Sequence, residues 1–306
     1  MPAIETEDLT RTYGRSRGIR GLDLVVPTGA VFGFLGPNGA GKTTTIRVLL
    51  DFLRPSSGTA RVLGLDSRAD SVAIRRRVGY VPGEIGLYER ITGRELLDWF
   101  GRLRGGVDQR VVGALVDRFQ VELDRPVHTL SKGNKQKLAL VQAFVHEPEL
   151  LLLDEPTAGL DPIVQHEFQL LVREVADSGA TVFLSSHVLD EVQHLCDQVG
   201  IIRDGRLVDV ESVAALRDRA VREVTIRFDG TFDPATDVAR FAALPGVRDV
   251  SVRDHSVHLH LVGEADALVK LAATHRVVEF SSAPPDLDDL FLHFYVDDDG
   301  HEGDDR

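Results

Sequence analysis

Cysteine is almost missing from this 306-residue chain. Cys196 stands alone, so no internal disulfide can form, and a reducing compartment is the expected home. Long apolar runs are missing too. None approaches the ~20 residues that cross a bilayer. The opening stretch MPAIETEDLTRTYG is acidic and polar, unlike a secretory signal. Positive charge is in deficit: 35 Lys and Arg against 48 Asp and Glu leave a net charge of -13. That balance argues against a nucleic-acid partner held by bulk attraction. A soluble cytoplasmic chain is expected, and any membrane role requires a partner chain to supply the membrane part.

The length allows two domains with substantial cores. From Met1 to about Ala220 the chain reads as one α/β unit. Val31–Gly36 (VFGFLG) is an apolar run ending in glycine, a buried-strand pattern. Lys42 to Phe52 follows with helical periodicity, with Ile46, Leu49, Leu50 and Leu53 as its apolar positions. Leu150–Asp154 (LLLLD) and Thr181–Ser185 (TVFLS) are two more buried strands, each followed by an amphipathic helical stretch. This alternation indicates a mainly parallel sheet with helices packed on it. Between Glu95 and Val145 strand signals stop, which predicts a helical subdomain over about 84–145. Ile201 to Val210 reads as a hairpin turning at Asp204-Gly205.

A second unit over 221–296 shows the order β-α-β-β-α-β, the ferredoxin-like pattern. Its last helix is expected over Asp286–Tyr295. The tail 297–306, DDDGHEGDDR, is nearly devoid of apolar residues and is expected to be disordered. Most of the net charge, about -10, lies beyond Val221. His255, His258 and His260 cluster in this unit. Metal binding is one reading of them, and a solvated strand face is the other.

Gly36-Pro37-Asn38-Gly39-Ala40-Gly41-Lys42-Thr43 fits G-x-x-x-x-G-K-[ST], with Thr44 following. Glycines let successive backbone N–H groups face one phosphate, and the helix behind adds its N-terminal partial positive charge. Lys42 is a point cation for the β- and γ-phosphates, and the Thr43 hydroxyl can ligate Mg²⁺. The setting between a strand and a helix is the one this motif requires. Asp154-Glu155 ends another buried strand. In a parallel sheet that end lies beside the phosphate loop. Asp154 can hold Mg²⁺, and Glu155 can polarise the attacking water. A helix N-cap is the alternative reading of this pair. His187, after the strand 181–185, is a third candidate, able to contact a γ-phosphate or orient water.

At this point the residues resemble the ATP-binding cassette (ABC) transporter family, over Met1 to about Ala220. Leu130-Ser131-Lys132-Gly133-Asn134-Lys135-Gln136 looks like the family signature LSGGQ, with Ser131 and Gly133 matching. Thr157 to Asp161 looks like the D-loop, and Ser185-Ser186-His187 like the switch-histidine region. Tyr13 falls where the family stacks an aromatic ring on adenine. A half-buried aromatic at a strand end is the other reading of it. The resemblance implies an α/β P-loop NTPase cassette with an inserted helical subdomain, plus a small ferredoxin-like α+β C-terminal domain. It implies ATP and Mg²⁺ as cofactors. It also implies closure of two cassettes head to tail, as a homodimer or a heterodimer. Ser131 and Gly133 of each would then serve nucleotide across the interface, and Asp161 of the D-loop is expected among the nucleotide-binding residues. A separate transmembrane permease would place the chain on the cytoplasmic face of the cell membrane. The C-terminal extension resembles that of drug and antibiotic exporters.

One position departs from the family. In Val78-Gly-Tyr-Val-Pro-Gly83-Glu84 a glycine stands where a metal-contacting glutamine is usual. Either Glu84 reaches the metal, or water fills the space. Leu87 and Tyr88 are expected at the permease docking site, Trp99 and Cys196 in the core. A soluble cassette ATPase acting on the ribosome, or a nucleotide-dependent regulator, is the competing class. A single phosphate loop, no coiled-coil insert and the acidic charge argue against ribosome- or DNA-acting relatives. Glu155 argues against a sensor that does not hydrolyse.

Overall fold

The apolar runs of the sequence become the central strands. In the computed structural model, the described residues are 1–14, 16–219, 221–229, 233–253 and 255–282. They divide into two compact units, Met1–Glu211 and Ser212–Arg306. The first unit opens with β1 Ile4–Tyr13, β2 Ser16–Val26, β3 Val31–Leu35, α1 Lys42–Leu49, β4 Ser57–Val62 and β5 Leu65–Asp66. It continues with α2 Ser71–Arg77, β6 Val78–Val81, α3 Gly93–Leu103, α4 Gln109–Phe119 and α5 Lys132–Phe144. β7 Leu150–Asp154, α6 Pro162–Asp177, β8 Thr181–Ser186, α7 Leu189–Leu195, β9 Gln198–Arg203 and β10 Arg206–Ser212 complete it.

Six strands form one sheet in the order β10-β9-β3-β8-β7-β6. The strands from β9 to β6 run parallel. Every residue of β3, β7 and β8 is buried, as expected for a parallel sheet covered on both faces. Phe183 stacks with Phe32 at 5.8 Å and lies 5.3 Å from Phe34, tilted. Each buried Leu or Phe contributes about 1.5–3 kcal/mol. That burial overrides the helix preference of the leucines in β7. The hairpin between β9 and β10 turns at Asp204 (φ 49°) and Gly205 (φ 82°), the left-handed pair that suits a two-residue turn.

A second, antiparallel sheet in the order β2-β1-β4-β5 has no counterpart in the sequence reading. Its pairing slips three times between β1 and β2, and Asp8 takes φ 45° there. These bulges break the alternation by which strands are recognised.

The segment between β6 and β7 is helical. Thr92 and Glu95 form a reciprocal capping box at the start of α3. Asp108 caps α4, and Ser131 caps α5. α3 buries Leu96 and Leu97. Trp99 lies on its other side, 42% exposed. The expected core position is therefore corrected: Trp99 packs edge-on against Tyr88 at 5.1 Å near the surface. Cys196 is buried at the end of α7, and burial pushes its thiol well above the ordinary range.

The second unit holds α8 Val213–Arg219, β11 Arg222–Phe228, α9 Pro234–Ala242, β12 Val247–Arg253, β13 Ser256–Leu261, α10 Asp266–Ala272 and β14 Val277–Ser282. The sheet order is β12-β13-β11-β14, antiparallel throughout, the ferredoxin-like arrangement. Val224, Ile226, Phe228, Phe241 and Val257 anchor its core. His258 bonds Thr225 at 3.0 Å and His260 bonds Asp249 at 3.0 Å. The expected helix over 286–295 and the tail 297–306 lie outside the described residues.

His146, between α5 and β7, pins the helical segment to β6. Its ring Nε2–H donates to the Val78 carbonyl at 3.2 Å, and Arg104 donates to the same oxygen at 3.3 Å. Burial, then the Arg104 charge, lower the His146 pKa to about 4. An unfolded histidine titrates near 6.5. Between those values the unfolded chain binds the extra proton, so this contribution is complete above about pH 6.5 and is lost as pH falls toward 4. Urea unfolding at pH 7 and pH 5 is expected to show a smaller acid-dependent loss of midpoint in His146→Gln than in wild type.

Candidate functional site

Three neighbouring parallel strands end level with one another. Leu35 of β3 pairs with Ser186 of β8, and Asp154 of β7 pairs with Ser185. The next residues off these strands, Gly36, Glu155 and His187, therefore emerge at the same sheet end. This is where open α/β sheets place their ligand crevices.

The loop from Gly36 to Thr44 follows from backbone constraints. A Cβ at Gly36 would lie 2.3 Å from the Ile202 carbonyl oxygen, so only glycine fits. Gly41 takes φ 116° immediately before α1, a conformation that disfavours side chains. No acidic residue stands in the first turn of α1, so the positive end of the helix is not offset locally. The Lys42 ammonium donates to the carbonyls of Gly36 at 2.6 Å and Pro37 at 3.2 Å. It also pairs with Glu155 at 3.3 Å. Three N–H donors thus have three acceptors.

One hydroxyl positions both carboxylates. Ser185 Oγ donates to Asp154 Oδ1 at 2.6 Å and accepts from the Glu155 backbone N–H at 3.2 Å. Glu155 takes φ 50°, a left-handed conformation uncommon outside glycine. Its other oxygen meets His187 Nδ1 at 2.5 Å. Lys42, Glu155 and His187 therefore form a continuous line.

These groups bound a cleft of about 500 Å³. Of the residues singled out in the sequence, Pro37, Asn38, Gly39, Gly41, Lys42, Thr43, Thr44, Glu84, Asp154, Glu155 and His187 line it. Gly36 takes part through its carbonyl, and Ala40 is buried within the loop. Tyr13, Ser131, Gly133 and Asp161 are not among the lining residues. Tyr13 is partly exposed, with the Arg11 guanidinium 5.0 Å over its ring. Ser131 accepts from Asn134 N–H at the start of α5, and Asp161 accepts from Val164 N–H at the start of α6. Gly83 and Ala158, the latter within the Thr157–Asp161 segment, line it as well, and so do Gly18 and Arg47, which sequence reasoning missed. Arg47 had a signal, since it lies four residues past Thr43 on one helix face. Gly18 had none, because its approach depends on a distant strand.

Asp154 is fully buried, and its Oδ2 has no hydrogen-bond partner. A Cβ at residue 83 would come within 3.1 Å of that oxygen, so Gly83 keeps the approach to it open. A buried carboxylate oxygen without a donor is costly unless a cation or water meets it. Thr43 lines the same cleft. This donor set suits Mg²⁺, which binds through one or two protein oxygens plus phosphate oxygens and water. Among the described residues no group of three or more His, Cys, Asp or Glu could hold a metal by itself. Burial, then the Asp154 charge, raise the nearby Tyr80 phenol above its ordinary value.

Compared with known proteins, residues 19–158 match the family model described as ABC transporter. The daunorubicin/doxorubicin resistance ATP-binding protein DrrA of Streptomyces peucetius is 36% identical, over 99% of this chain and 94% of that protein. The bacitracin transport ATP-binding protein BcrA of Enterococcus faecalis is 38% identical, over 71% of each chain. A solved ATP-binding subunit of an ABC transporter superposes with a TM-score of 0.66 at 30% identity, covering 70% of this chain and 92% of that one. The phosphate loop, the paired carboxylates, the histidine and this extent of likeness lead to one conclusion: the chain belongs to the ABC transporter family, among its ATP-binding subunits.

Proposed function

We propose that this chain hydrolyses ATP to drive a membrane exporter of drugs or antibiotics. The line from Lys42 through Glu155 to His187 carries the hydrolytic reading. Nucleotide phosphates replace Glu155 as the anionic partner of Lys42, and the loop N–H groups take the remaining phosphate oxygens. Glu155, released from Lys42 but still oriented by His187, aligns a water on the γ-phosphorus and accepts its proton. The new P–O bond forms as the bond to the bridging oxygen of ADP breaks, giving ADP and inorganic phosphate. Thr43 Oγ and Asp154 Oδ2 would hold Mg²⁺, which neutralises phosphate charge when bound. Tyr13 is assigned to adenine stacking, with Arg11 supporting its other face.

Ser131, Gly133 and Asp161 are assigned to the cleft of a second cassette in a head-to-tail dimer. Their absence from their own cleft supports that reading. So do the helix N-termini on which they lie, which favour anions. Two copies of this chain are the simplest dimer. Export rests on the relatives, whose names refer to daunorubicin/doxorubicin resistance and bacitracin transport. Among the described residues no helix is long and apolar enough to cross a membrane. A separate permease therefore supplies the path and holds the chain at the cytoplasmic face. Its docking site is assigned to the groove of about 580 Å³ that Tyr88, Ile91 and Trp99 line. Tyr88 is 58% exposed there, which suits a partner's apolar side chain.

Steady-state hydrolysis by Glu155→Gln is expected to fall by about 10²–10⁴-fold, with MgATP binding retained, because only the proton acceptor is removed. Glu84→Ala tests whether a second acidic group serves the metal. Titration of ATPase rate with Mg²⁺ is expected to show a higher half-saturating concentration than in wild type. Tyr88→Glu is expected to leave hydrolysis by the isolated subunit unchanged. Stimulation by the co-expressed permease should be lost, since a charge in an apolar contact costs several kcal/mol, roughly 2–5.

A further inference from the structure

Two segments leave the sheet beside the cleft: Pro156 to Asp161 after Glu155, and the turn His187-Val188 that follows Ser186, the last residue of β8. A single carboxylate joins them. Glu191, in the first turn of α7, accepts a hydrogen bond from the Thr157 hydroxyl with one oxygen. Its second oxygen accepts from Ser186 Oγ at 2.7 Å. Thr157 and Ser186 are both buried, at 7% and 1% exposure. The same Ser186 hydroxyl accepts from the Val188 backbone N–H at 2.9 Å, so it also shapes the turn that carries His187. On the other side Gln136 of α5 donates to the Pro156 carbonyl at 2.7 Å from a buried position.

We infer that Glu191 is a positioning residue for hydrolysis, holding Glu155 and His187 in register by tying Thr157 to Ser186. The argument is geometric. Thr157 lies two residues after Glu155, and Ser186 lies one residue before His187. The two oxygens of one carboxylate share a rigid plane, so neither hydroxyl can shift without moving the other or breaking its bond. The bond between Glu155 and His187 spans the same two loops at 2.5 Å. Glu191 therefore sets the separation at which that bond is made. It reaches neither loop by accident of helix capping: acid at a helix start needs only the helix N–H groups, whereas both oxygens here accept from side chains outside α7. The inference rests on the assignment of Glu155 and His187 to hydrolysis.

Glu191→Ala, Glu191→Gln, Thr157→Val and the double variant Glu191→Ala/Thr157→Val decide the matter, with steady-state ATPase kinetics, MgATP binding and thermal unfolding measured on each full chain. Glu191→Ala is expected to lower kcat by about tenfold, with the MgATP dissociation constant within about twofold of wild type. Thr157→Val should reproduce that pattern, and the double variant should fall no further, because both changes remove one link. Glu191→Gln keeps an acceptor and an amide that can donate to a hydroxyl, so its kcat should recover to within about threefold of wild type. Wild-type kcat in Glu191→Ala would overturn the inference. So would multiplicative losses in the double variant, or a kcat loss matched by equal losses of nucleotide affinity and melting temperature. If Glu191→Ala does not fold, wild-type kcat in Thr157→Val overturns it equally. Glu155→Gln in the same series separates the two levels. Undiminished hydrolysis there removes the assignment beneath the inference, whereas its loss beside wild-type Glu191 and Thr157 variants removes the inference alone.

Discussion

A single buried hydroxyl, Ser185 Oγ, fixes the chemistry of the cleft. It donates to Asp154 and accepts from the backbone of Glu155. The two acidic residues leave β7 in opposite roles because of that bond. Asp154 has one oxygen satisfied and one without a hydrogen-bond partner, while Glu155 is turned off the strand axis toward Lys42 and His187. The pairing Asp154↔Ser185 makes the contact possible. That register is set by the apolar run of β7 against β8, where a slip of one residue would turn every side chain to the other face. Hydrophobic burial thus specifies polar geometry at the strand ends.

The phosphate loop was legible because its residue types answer local demands: a carbonyl 2.3 Å from any Cβ at Gly36, a positive φ at Gly41, and a helix starting at Lys42. The buried strands were legible because three short, mostly apolar runs admit little else. The antiparallel sheet was not, since β1 carries bulges and exposed polar residues that blur its period. Trp99 was misplaced for a related reason. An aromatic on a helix reads as core by composition, but Leu96 and Leu97 already fill the buried face of α3. Gly18 enters the cleft through a strand distant in sequence, which no local pattern carries. Ser185 was noted only within a motif. Its double hydrogen bond becomes visible when the two strands are set side by side.

The signature segment shows how one residue can hold two roles. Ser131 reads as a nucleotide contact by resemblance and as an N-cap by geometry, and its hydroxyl meets the Asn134 N–H at 3.2 Å. The two roles are compatible. A cap leaves the other orphan N–H groups of the first turn pointing outward, and the serine oxygen keeps a hydrogen to donate. Gln136, in the second turn of that helix, is 2% exposed and grips the Pro156 carbonyl. One end of α5 therefore faces outward, while its next turn is tied to the loop that follows Glu155.

Glu155 shows why such ties are needed. A left-handed φ at a non-glycine residue costs on the order of 1–3 kcal/mol. Here it is offset by the backbone bonds to Ser185, by the ion pair with Lys42 and by the hydrogen bond to His187. In the proposed mechanism phosphate takes Lys42 away from that set, which leaves the remaining contacts to hold the strained backbone alone. The bond to His187 becomes the principal side-chain restraint at the moment a water must be aligned. A histidine nearly half exposed to solvent is a weak anchor unless its own turn is fixed. The hydroxyl of Ser186, bonded to both Val188 and Glu191, supplies that fixity from beneath. Strain at Glu155 and rigidity under His187 are therefore one requirement, met from two strands of the same sheet.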